Sequence, residues 1–443
     1  MTSLPSRSPS KWFQVLQRTR LGEPCMKTYP LECEDLLKRA RAAFHSRRTM
    51  EESFRLAQLE ALSTTLDECV VVSEPLGVVL IIGVWCNPVQ LCLVPLVGAI
   101  AAGNCAIINP SDYTRHTAEL LHREIPAYLD NECFHVILTG VSDLAEVVEL
   151  KFDHVFFSGN REEGSRVAQT AARTVTPTTL ILGGKNPCYV DQDCDIRTTV
   201  QRITWARFHN AGQSIVAPDY ILCHTDIKVR LVQALKCCLM GFYGSDPQES
   251  HSFGRMVNLE MFNHAKDMLW RSGKVEVGGQ VIEAEKYIAP TILTDVSESD
   301  PIIQQHFFGP ILPVLAVNSV EEAIAFINKQ EKPLCVYAYS SNSKVISKIM
   351  TETSSGSFCS NDSVLQSLMV ALPFGGVGAS GMGSYHGRYS FDTFSHKKSC
   401  LLRSTRLECV TYLRYPPYED RNLSLLTWAS TLSQKSLGWC QIL

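Results

Sequence analysis

"HNAGQSIVAPDY", residues 209–220, decides how this chain is read. Gly212, Pro218 and the short polar residues make a loop, and "VAPDYILC" after it alternates as a strand does. An isoleucine, Ile215, stands in the middle of that loop. A sec-butyl group can attack nothing, so the weight of the reading falls on what surrounds it.

The chain has 443 residues, more than one ordinary core organises, so two or three domains are expected. It is 45% hydrophobic and 19% charged, a globular composition. A net charge of −4 offers no basic footprint for nucleic acid. None of the seventeen cysteines has the C-x-x-C spacing of a zinc or redox site. "MTSLPSRSPSKWFQ" lacks an apolar signal core, so reduced thiols in a cytosolic compartment are expected. "LVPLVGAIAAGNCAII" is short of the ~20 residues of a membrane span and contains Asn104.

Residues 1–33, rich in Ser, Pro and Arg, read as a polar leader. Residues 34–68 carry apolar residues at three- and four-residue steps and read as helices. "VVVSEPLGVVLIIG" reads as one continuous strand buried on both faces, and "VQLCLVPLVGAIAAG" as a buried helix. "CAIIN", "FHVIL", "HVFFSG" and "TTLILGG" follow as strands, with helices at "TAELLHREIPAYL" and "EGSRVAQTAART". Such alternation predicts α/β architecture with a doubly wound parallel sheet. A second α/β run begins near Asn186 and lasts to about residue 395. Four parts are expected: the leader 1–33, a nucleotide-binding domain 34–185, a catalytic-type domain 186–395, and a bridging strand with tail, 396–443.

"FFSGNREEG", Phe156 to Gly164, is a glycine turn between strand and helix. A dinucleotide phosphate could sit there on free N–H groups, around Gly159, Asn160 and Gly164. Two glycines equally suit a plain strand-to-helix turn.

Seven motifs occur in order: "PLGVVLIIGVW", "LVGAIAAGNCAIINPSD", "FFSGN", "LGGKNPCYV", "NAGQSIVAPDYILC", "FFGPILPV" and "PFGGVGASGMGSYHG". With them the chain resembles the aldehyde dehydrogenases, in their class 3, B-type branch, from about residue 36 to the C-terminus. The resemblance implies a Rossmann-like doubly wound nucleotide domain, an α/β catalytic domain, and a small bridging element that dimerises. It also implies NAD- or NADP-dependent oxidation of aldehydes, often fatty ones, to acids. That chemistry uses a cysteine thiolate as nucleophile, an amide and a backbone N–H to hold the oxyanion, and a glutamate to activate water.

The resemblance places the nucleophile at Ile215, the base at Ile181 in "LILGGK", and the oxyanion amide at Cys86 in "WCNP", with Asn87 one residue late. The adenosine-ribose clamps fall on Asn109 and Asp112, and the nicotinamide-ribose clamp on His306, two residues before Phe308. In the phosphate turn, Glu163 would face a pyrophosphate with like charge. The family's further helices before "EPLGVVLII" are missing, since Cys69 runs directly into that strand. Residues that form backbone are kept, among them Gly183, Gly184, Lys185, Gly212 and Gly309. Loss of a nucleophile alone typically costs several orders of magnitude in rate. The expectation is a catalytically dead member with no intact catalytic residue and impaired NAD or NADP binding.

Cys86 has two readings, a small buried hydrophobe or a relocated nucleophile in an active fatty aldehyde dehydrogenase. His306 has no partner at ligand spacing, and Cys237 and Cys238 point to different helix faces, so no metal is expected. The chain ends "SLGWCQIL", where Cys440-Gln441-Ile442-Leu443 fits a prenylation signal whose terminal Leu favours geranylgeranyl transfer. Attachment to the cytosolic face of a membrane or to a lipid droplet is therefore expected, or otherwise a cytoplasmic protein. Partners would be a second copy, giving a homodimer, or an active relative, giving a heterodimer.

Overall fold

The computed structural model describes residues 68–139, 144–402 and 415–416. The leader, the helical stretch 34–67 and the Cys440 tail lie outside the described residues. The chain divides into two units, residues 1–70 with 400–443, and residues 71–399.

Five parallel strands and one short antiparallel strand make the first sheet. The order is Gly381–Met382, Thr178–Leu182, His154–Gly159, Val78–Ile82, Cys105–Asn109, Phe134–Val136. Its first strand in sequence, Val78–Ile82, lies at the centre, and later strands add outward on either side. That is doubly wound topology, and its switch point lies between Val78–Ile82 and His154–Gly159. The strands are apolar runs because both faces are covered: Val79, Leu80, Ile81, Val155 and Phe156 have no solvent exposure. A second sheet of seven strands follows, with Pro187–Val190, Tyr220–His224 and Ile311–Val317 adjacent and parallel.

Three expectations are corrected in detail. "VVVSEPLGVVLIIG" is two strands, Glu68–Pro75 and Val78–Ile82. Pro75 cannot donate to a ladder, and Gly77 turns the chain at φ +135, so close to Asp153 that a Cβ would sit 2.2 Å from its Oδ2. Only the second strand is doubly buried; Val71 in the first is 66% exposed. The loop's strand begins at Tyr220; residues 214–217 close a turn through Ala217 N–H to the Ser214 carbonyl, and Pro218 has no N–H to give a ladder. Helix Gln90–Ala101 buries Leu91, Cys92, Leu96 and Ala99 but leaves Val97 exposed. It lies in an outer layer, pressed on helix Gly387–Thr393 so closely that a Cβ on Gly98 would meet Ser390 at 2.4 Å.

Candidate functional site

The loop from His209 to Asp219 is held in a strained shape. Asn210, Ala211 and Gly212 take φ values of +51, +52 and +72. A left-handed alanine costs roughly 1–2 kcal/mol, so neighbours must impose it. Gln213 does so from within: its amide donates to the Asn210 and Arg255 carbonyls at 2.9 and 3.0 Å, and its oxygen accepts from Val257 N–H at 2.8 Å. Gly212 passes so near Gly309 that a Cβ would lie 2.1 Å from its carbonyl oxygen.

Asn186 grips the loop from the second sheet. Its amide donates to the carbonyls of Ile215 at 2.9 Å and Ala217 at 3.0 Å, and its oxygen accepts from Cys335 N–H at 2.9 Å. Tyr337 Oη donates to the Val216 carbonyl. Arg207 and Asp219, both fully buried, pair at 3.2 Å, and Arg207 also donates to the Gly309 carbonyl at 2.7 Å. Sequence reasoning missed Asn186, Arg207, Asp219 and Tyr337 as supports, since Arg207 is one of three arginines in the helix Ile196–Phe208 and nothing in the sequence singles it out.

The three positions assigned to chemistry share one apolar core: Ile215 is 4% exposed, Cys86 6% and Ile181 not at all. Ile215 forms part of the wall of a cavity of about 150 Å³, together with Trp205, Leu368, Phe374 and Tyr385. Ile181 sits where strand Thr178–Leu182 meets Gly381, and offers no polar atom beyond its backbone. Burial pushes the Cys86 thiol up to about 12, against hydrogen bonds from the Ile215 and Asn87 backbone that favour the thiolate. Asn87 lines the same cavity and its amide turns to Gln90 at 3.4 Å.

A larger cleft of about 630 Å³ lies at the switch point, lined among others by Trp85, Asn160, Glu163, Lys185, His306 and Phe308. At its phosphate turn Asn160 caps helix Arg161–Arg173, accepting from Glu163 N–H at 2.8 Å. Gly159 and Gly164 have packing reasons: a Cβ on either would strike Phe157 at 2.5 Å or Leu182 at 2.4 Å. Burial raises the Glu163 carboxyl, while the hydrogen bonds to Asn160 and the charge of Arg166 oppose that shift. Asn109 is buried and accepts from Thr139 N–H at 3.4 Å; Asp112 is exposed, and the space beside them is about 40 Å³.

At the cleft's inner end, Lys185 Nζ is shut from solvent without a hydrogen-bond partner, and both ring nitrogens of His306 are shut from solvent with only the Gly184 backbone facing the imidazole. Burial lowers Lys185 to about 8, opposed by Asp219, and lowers His306 to about 4. The imidazole packs against Gly183, where a Cβ would fall 2.7 Å from Nε2, and edge-on to Phe308 at 5.0 Å. The structure thus brings His306 to Lys185, a residue the sequence marked only as backbone-forming. Cys237 is exposed and Cys238 half-buried; among the described residues no cluster of His, Cys, Asp or Glu could hold a metal. No helix among them is long and apolar enough to cross a membrane.

Comparison with known proteins gives these likenesses. The model of the aldehyde dehydrogenase family matches residues 21–400. Human aldehyde dehydrogenase family 3 member B1 is 49% identical over 365 residues, 82% of this chain and 78% of the relative. Family 3 member A2 of Rattus norvegicus is 47% identical over 384 residues, 86% and 78% of the two. The substrate-bound structure of Staphylococcus aureus AldH is 41% identical with TM-score 0.77, covering 83% of this chain and 81% of that one. Betaine aldehyde dehydrogenase of the same organism, a P449M variant in complex with NAD+, is 25% identical with TM-score 0.70, covering 76% and 71%.

Proposed function

Because the chain belongs to the aldehyde dehydrogenase family, class 3, we propose that it is a binding member of that family which turns over no aldehyde. The observation that carries this is Ile215, buried at the nucleophile position in a loop whose whole support is intact. A side chain without a lone pair cannot form the thiohemiacetal on which hydride transfer depends. Ile181 adds a second barrier, since no base stands where water would be activated.

The family's cofactor is NAD or NADP, and the cleft of this chain fits it poorly. The helix N-terminus that would hold the pyrophosphate is capped by Asn160, and Glu163 faces the same space. Neither Asn109 nor His306 offers a carboxylate or ammonium to a ribose.

The test is the purified chain with a long-chain aldehyde and NAD or NADP. NAD(P)H formation should stay at background, and Ile215→Cys should restore at most slow acylation, because Ile181 remains. Steady oxidation by the unaltered protein would overturn the reading. The second reading is activity through Cys86, which the family position of the oxyanion amide favours. A thiol pushed up to about 12 without a base beside it weakens that reading.

For its place in the cell we propose an anchor at Cys440. A geranylgeranyl chain of about twenty carbons, at ~0.8 kcal/mol per buried methylene, would hold the chain at a cytosolic membrane face or a lipid droplet. There it would pair with a second copy or with an active relative. Cys440→Ser should move a tagged copy to the soluble fraction; equal fractionation of the two would remove the anchor from this proposal.

A further inference from the structure

The inner end of the 630 Å³ cleft holds a cation with no hydrogen-bonded ion pair of its own. Among the described residues Lys185 Nζ has no hydrogen-bond partner, and its contact is the Phe307 ring, 4.6 Å below it. The nearby carboxylate is already engaged: Asp219 takes Arg207 on one oxygen and Asn186 N–H on the other, at 3.2 and 2.9 Å. His306, in the same wall, has both ring nitrogens shut from solvent; the Gly184 backbone faces the imidazole, and the ring meets no other polar side chain. Buried charges are ordinarily paired, because an unpaired ammonium loses its hydration without return. Arg207 is paired; Lys185 is not.

We propose that Lys185 and His306 form an oxyanion site, which takes the carboxylate or phosphate head of a ligand whose apolar body lies along the cleft. The ammonium supplies the charge and the imidazole N–H a directed bond. Trp85, Met261, Ile303 and Phe308 line the cleft with apolar surface for the body. Glu162, Glu163, Glu260 and Glu331 also line it; against them stand Arg161, paired with Glu331 at 3.4 Å, and Lys332, so carboxylates outnumber cations there and disfavour a second negative charge farther out. The ligand is therefore an amphiphile with one anionic end. The site is independent of whether the loop at Ile215 has any chemistry.

The test titrates the full chain by calorimetry with octanoate and with octyl phosphate, and with octanol as the neutral control. At least one anion should bind ten or more times tighter than octanol, and the tighter of the two identifies the head. Lys185→Met should weaken that binding at least tenfold; it removes no hydrogen bond, so the fold should persist. His306→Glu, which places a carboxylate beside Lys185, should abolish anion binding while leaving octanol unaffected. Binding should also weaken as pH rises above about 8, where Lys185 loses its proton; Asp219 and Arg207 are the charges that face it, and the His306 imidazole is neutral over that range. Anions that bind no better than octanol, or that bind both variants as they bind the unaltered chain, would refute the site.

Discussion

Asn186 holds the carbonyl of Ile215 at 2.9 Å and that of Ala217 at 3.0 Å, so one buried amide fixes both sides of Val216. It also receives Cys335 N–H from the neighbouring strand. Asn186→Ala would leave three buried backbone groups without partners. At about 1–3 kcal/mol for each unsatisfied group, the variant should lose roughly 3 kcal/mol or more, read as a lower denaturant midpoint. A change below about 1 kcal/mol would mean that water reaches the loop.

Arg207 and Asp219 support the loop from its other end. Arg207→Met would strand the Asp219 carboxylate and remove the donors to the Pro218 and Gly309 carbonyls. Breaking a buried pair on one side typically costs ~3–5 kcal/mol. Arg207→Lys should recover only part of it, because an ammonium cannot span the same three acceptors with a fixed fork. Equal stability of the Lys variant and the unaltered chain would contradict this.

Cys86 should be nearly inert to alkylation. With its thiol pushed up to about 12, roughly one molecule in ten thousand carries the thiolate at pH 8. Exposed Cys237 should be labelled by iodoacetamide well before Cys86, as peptide mass spectrometry would show. Labelling of Cys86 first would revive the relocated nucleophile.

Glu163 should weaken the fold at neutral pH. Burial raises its carboxyl, so the folded state holds this proton more tightly than the unfolded chain. The stability it contributes is full below the unfolded value and is lost as pH rises through the raised one. Glu163→Gln should therefore raise the melting temperature at pH 7.5, with the difference closing near pH 4. A difference independent of pH would assign the effect to packing.

Much of this was legible in the chain. Apolar runs bounded by Gly and Pro mark the strands because each buries both faces, and the motif order gave the doubly wound sheet. Ile215 is conspicuous as an apolar residue within a polar loop motif, whereas Ile181, inside the apolar strand Thr178–Leu182, is marked only by the family resemblance. The break at Gly77 was overlooked: the valine and isoleucine runs on either side outweighed Pro75 and Gly77 in the reading, and the approach of Asp153 that fixes the turn is visible only in space. The isolation of Lys185 was equally hidden. It depends on who faces the ammonium in space, and His306 comes from a distant stretch of sequence.

The two sides of the cavity at Ile215 differ in how firmly they are tied. One side is anchored by Asn186, Gln213, Tyr337 and Arg207. The other, residues 364–372, carries exposed Leu365, Leu368, Met369 and Val370, and Val364 stands at φ +72, a costly shape for a β-branched residue. Local opening draws on the segments with the fewest buried contacts. Amide protons of 364–372 should thus exchange with deuterium long before those of 213–219, and a molecule entering the cavity would come in by the yielding side while the isoleucine wall stays still.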